Sequence, residues 1–290
     1  MVRNLLYCAV FMGLVMGCKQ KDLTPSWVKI DSFSFSTVIE SQGPNSHNIV
    51  DAWVFMDNKS LGVFEMPCKI PVLAEGEHKF VIFPGIKNNG ISDTRVRYPF
   101  YTSYEITANL TKNDTLELFP STAYKTTVSI PFLEDFESAG INFEKGTSSD
   151  TNIVFVEKLD FPEIVKYGDN CGAIFLNDPD SVYTGSTNTS LYIPKGKKMY
   201  MELDYLNNNS LAVGLIARYP DGSISTHTPL LIVNPQKEGE EVWKKIYIDF
   251  TEDVGFEKTA VSFEVYFIAQ RDPDISVGNI YIDNVKVVYN

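Results

Sequence analysis

Histidine and cysteine are scarce in this chain, which has three of the first and four of the second in 290 residues. His47, His78 and His227 are scattered, with no cysteine or second histidine at ligand spacing, so no zinc pattern is present. Positive charge is also short: 25 Lys and Arg face 37 Asp and Glu, for a net charge of −12. An acidic surface repels phosphate backbones, which argues against nucleic acid as a partner. Long apolar runs are missing; the best, Leu5 to Met16, falls well short of the roughly twenty residues a membrane-crossing helix needs. There is no G-x-S-x-G elbow, no H-E-x-x-H and no phosphate-binding glycine loop. The acids at Glu134, Asp135 and Glu137, and those at Glu238, Glu240 and Glu241, read as solvated clusters, so the chain is expected to be no enzyme.

What is present begins at the amino terminus. Arg3, the apolar run to Met16 and the small Gly17 precede Cys18, the arrangement of an export signal cut before a cysteine. It resembles the bacterial lipoprotein signal, which implies removal of residues 1–17 and acylation of Cys18 with chains such as palmitate. Several chains anchor far more firmly than one. The polar tract Lys19-Gln20-Lys21-Asp22 resembles the sorting tracts of Bacteroidetes lipoproteins, with fewer acids than those carry. The resemblance implies an outer-membrane protein, with the cell surface favoured over the periplasmic face. Cys8 leaves with the signal, so Cys68 and Cys171 are the remaining thiols, either bridged or, as we expect, single and buried.

The rest of the chain alternates. Phe33 and Phe35 are interleaved with serines, and Val261, Phe263, Val265 and Phe267 with Ser262, Glu264 and Tyr266. Period-two patterning buries one strand face and wets the other. Turn signals such as Asp57-Asn58, Asn89-Gly90 and Asp221-Gly222 separate the runs, and no helix of three turns is apparent. The expected fold is all-β: an N-terminal immunoglobulin-like sandwich over 23–130, then a C-terminal jelly-roll sandwich over 131–290, joined to the anchor by the tether 18–22. Ala52 to Phe64 reads as a hairpin with its turn at Asp57 to Ser60, and with Glu75-Gly76-Glu77 it resembles PEGA-like β modules.

Phe136-Glu137, Gly172 to Leu176, Met201 to Tyr205, Ile246 to Phe250 and Gly278 to Val285 follow one another in the order of MAM-like and carbohydrate-binding-module jelly rolls, which the C-terminal half resembles. That resemblance implies a structural calcium held by Glu137 and Asp283, with Asp169 as a third oxygen ligand. It also implies a glycan site, for which the candidates are Tyr183, Arg218, Tyr219, Asp221 and His227. Trp243, before a regular strand, reads instead as core.

In the N-terminal half, Arg95, Arg97, Tyr98, Phe100 and Tyr101 follow a glycine- and asparagine-rich turn. Arginine with aromatics is the composition of interface hot spots, and the alternative is that these aromatics fold back as core. The expected function is an accessory or scaffolding subunit of an envelope protein complex that contacts an outer-membrane protein through this segment. The alternative is a glycan-binding surface lipoprotein for polysaccharide capture or adhesion.

Overall fold

A computed structural model of the protein describes residues 23–177 and 181–290. The signal, the tether and the acylation site at Cys18 lie outside the described residues. The fold is all-β, and the described residues include two short helices, Ile39–Gln42 and Thr251–Phe256. No helix among the described residues is long and apolar enough to cross a membrane.

The C-terminal half is a jelly-roll sandwich of two six-stranded antiparallel sheets. One sheet runs Ile153–Glu157, Asn170–Leu176, Gly278–Tyr289, Met199–Asn207, Lys244–Asp249, and Ser129–Glu134 also pairs with Gly278–Tyr289. The other runs Phe143–Lys145, Val182–Thr187, Ser262–Gln270, Leu211–Arg218, Ile224–Thr226, with Leu231–Val233 also beside Leu211–Arg218. Alternation does what it should between them: Met201 and Leu203 from one sheet meet Val213, Phe263, Val265 and Phe267 from the other in one apolar core. Pro131, which has no N–H to give, lies in Ser129–Glu134 where the ladder shifts register between Ser129 and Phe132.

The N-terminal half is an immunoglobulin-like sandwich. Lys59–Glu65, Asp51–Met56 and Gly76–Lys87 form an antiparallel sheet, extended by Arg95–Arg97 and Tyr104–Leu110. Ser26–Ile30 pairs antiparallel with Cys68–Val72 and parallel with Thr115–Leu118. Phe33 and Phe35 point into this core, as their serine neighbours foretold. The hairpin turn is Asp57-Asn58, both residues at positive φ (49° and 64°), as a tight two-residue turn between right-twisted strands demands. Asp57 fastens the turn to the next strand, its Oδ1 accepting the Lys79 N–H at 3.0 Å. Cys68 and Cys171 are both free thiols. Burial pushes the Cys171 thiol up to about 12, which leaves it unreactive.

The two sandwiches share a core. Tyr200, Tyr247 and Val288 point outward from the jelly roll and pack among Phe35, Tyr98, Phe100 and Tyr101 of the N-terminal half. The turn after Gly76–Lys87 docks on the jelly-roll edge: the Asn89 N–H donates to Tyr247 O at 2.9 Å and the Asp249 N–H to Asn89 Oδ1 at 2.8 Å. At the centre sits Glu202, wholly buried. Its carboxylate accepts the Tyr98 hydroxyl at 2.7 Å and the Tyr124 hydroxyl at 2.8 Å, and pairs with the Lys245 ammonium at 3.1 Å. Ser46 donates to Asp204 at 2.6 Å beside it. Burial would raise the Glu202 pKa, but Lys245, Lys286 and the two phenols outweigh it and hold the group below its ordinary value. Burial lowers the Lys286 amine to about 8.

Candidate functional site

The glycan candidates do not all meet. Tyr183 is in the core at 1% exposure, because Tyr183, Gly185 and Thr187 share the inward face and the small Gly185 leaves room for the ring. It is not a ligand platform. Arg218 is held by Glu264, with Nε at 2.5 Å and Nη2 at 3.0 Å from its carboxylate. Asp221 is exposed and closes its own turn, accepting the Ser223 N–H at 3.0 Å and hydroxyl at 2.6 Å.

Tyr219 and His227 are brought together, through a residue that the sequence reading did not nominate. Tyr219 ends the strand Leu211–Arg218, and the tight turn to Ser223 returns the chain along Ile224–Thr226 to His227. The helix Thr251–Phe256 supplies Asp253 and leads into Glu257. The Tyr219 hydroxyl donates to Glu257 Oε2 at 2.5 Å, and His227 Nε2 lies 2.8 Å from Glu257 Oε1. His227 Nδ1 faces Asp253 Oδ1 at 3.3 Å. The phenol's hydrogen bond raises the Tyr219 pKa and lowers that of Glu257. Both ring nitrogens of His227 therefore face carboxylates. Beside Glu257 opens a cavity of about 280 Å³, walled by Ile193, Val254, Ala260 and Phe263 with Lys195 and Lys258 at hand. Apolar walls with a few converging polar groups are what a small-molecule site offers.

The loop carrying His227 is pinned from below, where the Tyr266 hydroxyl donates to His227 O at 2.6 Å and the Tyr266 ring lies on Gly214. A Cβ at Gly214 would overlap that ring. Gly214→Val is therefore expected to cost about 1–3 kcal/mol, read as a lower urea midpoint, with His227 displaced.

The three carboxylates nominated for calcium do not form a ligand set. Glu137 turns Oε1 to the N–H groups of Asp169 and Asn170, at 2.9 and 3.0 Å, so Asp169 meets it through its backbone. Asp283 is buried, its carboxyl pushed up to about 9 by that burial. With Asp135, Glu137 and Asn284 it lines a cavity of about 130 Å³. Among the described residues no group of three His, Cys, Asp or Glu is close enough to hold a metal ion. Calcium takes six to eight oxygens, and this set does not fit it.

The segment expected to contact a partner is mostly interior. Tyr98, Phe100 and Tyr101 are 2%, 0% and 1% exposed, because the jelly roll covers them. Arg95 is tied to Asp51 at 2.6 Å and Glu65 at 3.3 Å, leaving Arg97 as the exposed member. Glu134, read as solvated, is also buried and accepts the Phe136 and Asn142 N–H groups. Trp243 packs against the small cluster of Val156, Val165, Cys171 and Ala173, its Nε1 donating to Ile164 O at 2.6 Å.

No family model matches the chain, and no curated protein matches it. Among solved structures it is similar to the CBM22-1 and GH10 modules of a Clostridium thermocellum endo-1,4-beta-D-xylanase complexed with xylohexaose, at TM-score 0.39 and 13% identity over 55% of this chain. The match spans 28% of that structure, under a third of its length. It is also similar to the CBM22-1 xylan-binding domain of Paenibacillus barcinonensis Xyn10C, at TM-score 0.38 and 13% identity over 56% of this chain and 94% of that one. A non-crystalline cellulose specific carbohydrate-binding module, CBM28, scores 0.38 at 13% identity over 53% and 91%. Similarity at this level assigns neither ligand nor site to this chain.

Proposed function

We propose that the protein is a non-catalytic glycan-binding lipoprotein, anchored through acylated Cys18 at the outer membrane and facing the cell surface. The anchoring rests on the residues around Cys18. The glycan reading rests on one observation: the cavity of about 280 Å³ shares Glu257 with the Tyr219 and His227 cluster. A half-exposed ring beside hydrogen-bonding side chains and an apolar hollow suits a sugar, which has a C–H face and a rim of hydroxyls. The accessory-subunit reading drew on Tyr98, Phe100 and Tyr101, and with these rings covered it has less to stand on.

The test is retention of the full chain on a panel of immobilised neutral glycans. Tyr219→Ala is expected to weaken the best interaction by roughly tenfold or more, the usual loss for a ring that stacks and hydrogen-bonds. Unchanged retention by the variant, or no retention of the wild type on any glycan, counts against the proposal. Recovery of an envelope protein at equal stoichiometry would return the accessory-subunit reading.

A further inference from the structure

Between the two sandwiches lies a cleft of about 750 Å³, which adjoins the cavity beside Glu257 at Gly196 but is not lined by Tyr219, His227 or Glu257. Its walls carry Phe83, Arg97 and Lys125 from the N-terminal half and Lys197 and Lys198 from the jelly roll, with Asn290 at one end. No Asp or Glu side chain lines it. In a chain with 37 acids and 25 bases, four cations together without an acid is the reverse of what composition favours.

The four cations also lack an acidic partner. Arg95, Arg218 and Lys245 all sit against carboxylates. Among the described residues no carboxylate lies within ion-pair reach of Arg97, Lys125, Lys197 or Lys198, although Lys125 Nζ donates to Pro99 O at 2.6 Å. Arg97 instead stands over two rings on the outer sheet face, 4.9 Å from the centre of Phe83 and 5.7 Å from that of Trp53. Trp53 and Phe83 are cross-strand neighbours, and both are half-buried. Cations gathered with no acidic side chain among them repel one another, and an anion relieves that repulsion.

We propose that this cleft is a second binding site, for an acidic oligosaccharide whose carboxylate or sulfate group is held by Arg97, Lys125, Lys197 and Lys198. The volume is in the range of small-ligand sites. Arg97, backed by the Phe83 and Trp53 rings, offers a planar fork to the acid group, and Phe83, Tyr98 and Tyr101 on the cleft wall offer apolar edges to the sugar. A long polyphosphate or an anionic bilayer would meet the net charge of −12 around the cleft, whereas a short acidic sugar meets chiefly the local field. That the ligand is a sugar rests on the glycan reading above; that it is an anion rests on the cleft alone.

The experiment is calorimetric titration of the full chain with a galacturonic acid trisaccharide, its neutral methyl ester and a heparin-derived tetrasaccharide, at low and high salt. The acid trisaccharide or the sulfated sugar is expected to bind, the preferred one naming the acid group, and to weaken with salt, with the ester at least about tenfold weaker. Arg97→Gln and the double variant Lys197→Gln, Lys198→Gln change exposed side chains. Each should lose roughly tenfold in affinity at unchanged thermal stability. Tyr219→Ala should leave acidic binding intact while losing the neutral glycan, which separates failure at one site from failure at the other. Equal binding of acid and ester, no binding of either acidic sugar, or full affinity in the variants would overturn the proposal. Tighter binding of an acidic peptide or single-stranded DNA would overturn the sugar assignment.

Discussion

Glu202→Gln is expected to lower the unfolding free energy by about 3–5 kcal/mol, measured as a fall in urea midpoint at constant slope. The amide keeps the shape of the side chain and removes its charge. Lys245 and Lys286, both buried, then lose their central anion, and Asp204, with its nearer oxygen 3.8 Å from Lys245 Nζ, is a poor substitute. The Tyr98 and Tyr124 hydroxyls keep a shared oxygen, but Tyr124 loses its second acceptor and both lose a charged partner. The cost arises from leaving buried charge unpaired, so removing the pair together should cost much less. Glu202→Leu combined with Lys245→Met is expected to recover most of the loss. A drop under about 1 kcal/mol for Glu202→Gln would mean that the network does not hold the halves together.

The same residue sets an acid limit. Glu202 ionises below its ordinary value of 4.5 in the folded chain. The folded state therefore binds fewer protons there than the unfolded state does, so the stability it contributes is fully present above about pH 4.5 and drains away as pH falls through the lower folded value. Wild type should lose stability across that window, and Glu202→Gln should lose less.

How much of this was legible in the residues follows from what a strand pattern can say. Alternation names the two faces of a strand and, when one is apolar, names the core; hence Phe33, Phe35, Phe263, Val265 and Phe267 were placed correctly, whereas Val261, just before the strand Ser262–Gln270 begins, is exposed. The turn at Asp57-Asn58 was legible because only a few residue types tolerate its backbone. Alternation does not say whether the polar face is wet. In Met199–Asn207 the residues opposite the core are Tyr200, Glu202 and Asp204, a pattern that reads as solvent-facing, yet all three are buried beneath a second sandwich. A signal was available: the terminal strand places Lys286 in an otherwise apolar run, Val285 to Val288, and an isolated cation there wants an internal acid. Glu257 was missed because it follows a six-residue helix with no periodicity to find, and it meets Tyr219 across 38 positions of chain. Tyr183 was misplaced because its small, polar neighbours do not show which strand face is inward, whereas the strand uses Gly185 as the space that admits the ring.

Phe100→Ala is the substitution that decides what the Arg95 to Tyr101 segment is for. The ring is wholly buried and meets Tyr98 of its own half at 5.2 Å and Tyr200 of the jelly roll at 5.5 Å, both edge to face. Tyr98 in turn meets Tyr200 at 5.4 Å and Tyr247 at 4.7 Å, so the aromatic cluster bridges the two sandwiches. Truncating a buried phenylalanine removes its transfer energy and leaves a cavity, at about 3–5 kcal/mol. Because the cavity opens between the halves, the loss should appear in both, as one lowered transition seen by every probe and as faster proteolysis between residues 123 and 129, where the sheets of one half end and those of the other begin. A ring that faced a partner in the native chain would behave otherwise: alanine would leave the urea midpoint in place and reduce only partner recovery. The cluster also fixes the distance from Arg97 to Lys197 and Lys198 across the cleft, so Phe100→Ala should weaken the acidic sugar through position while every cation remains. The larger Phe100→Leu, which keeps most of the volume, should restore both stability and binding in parallel.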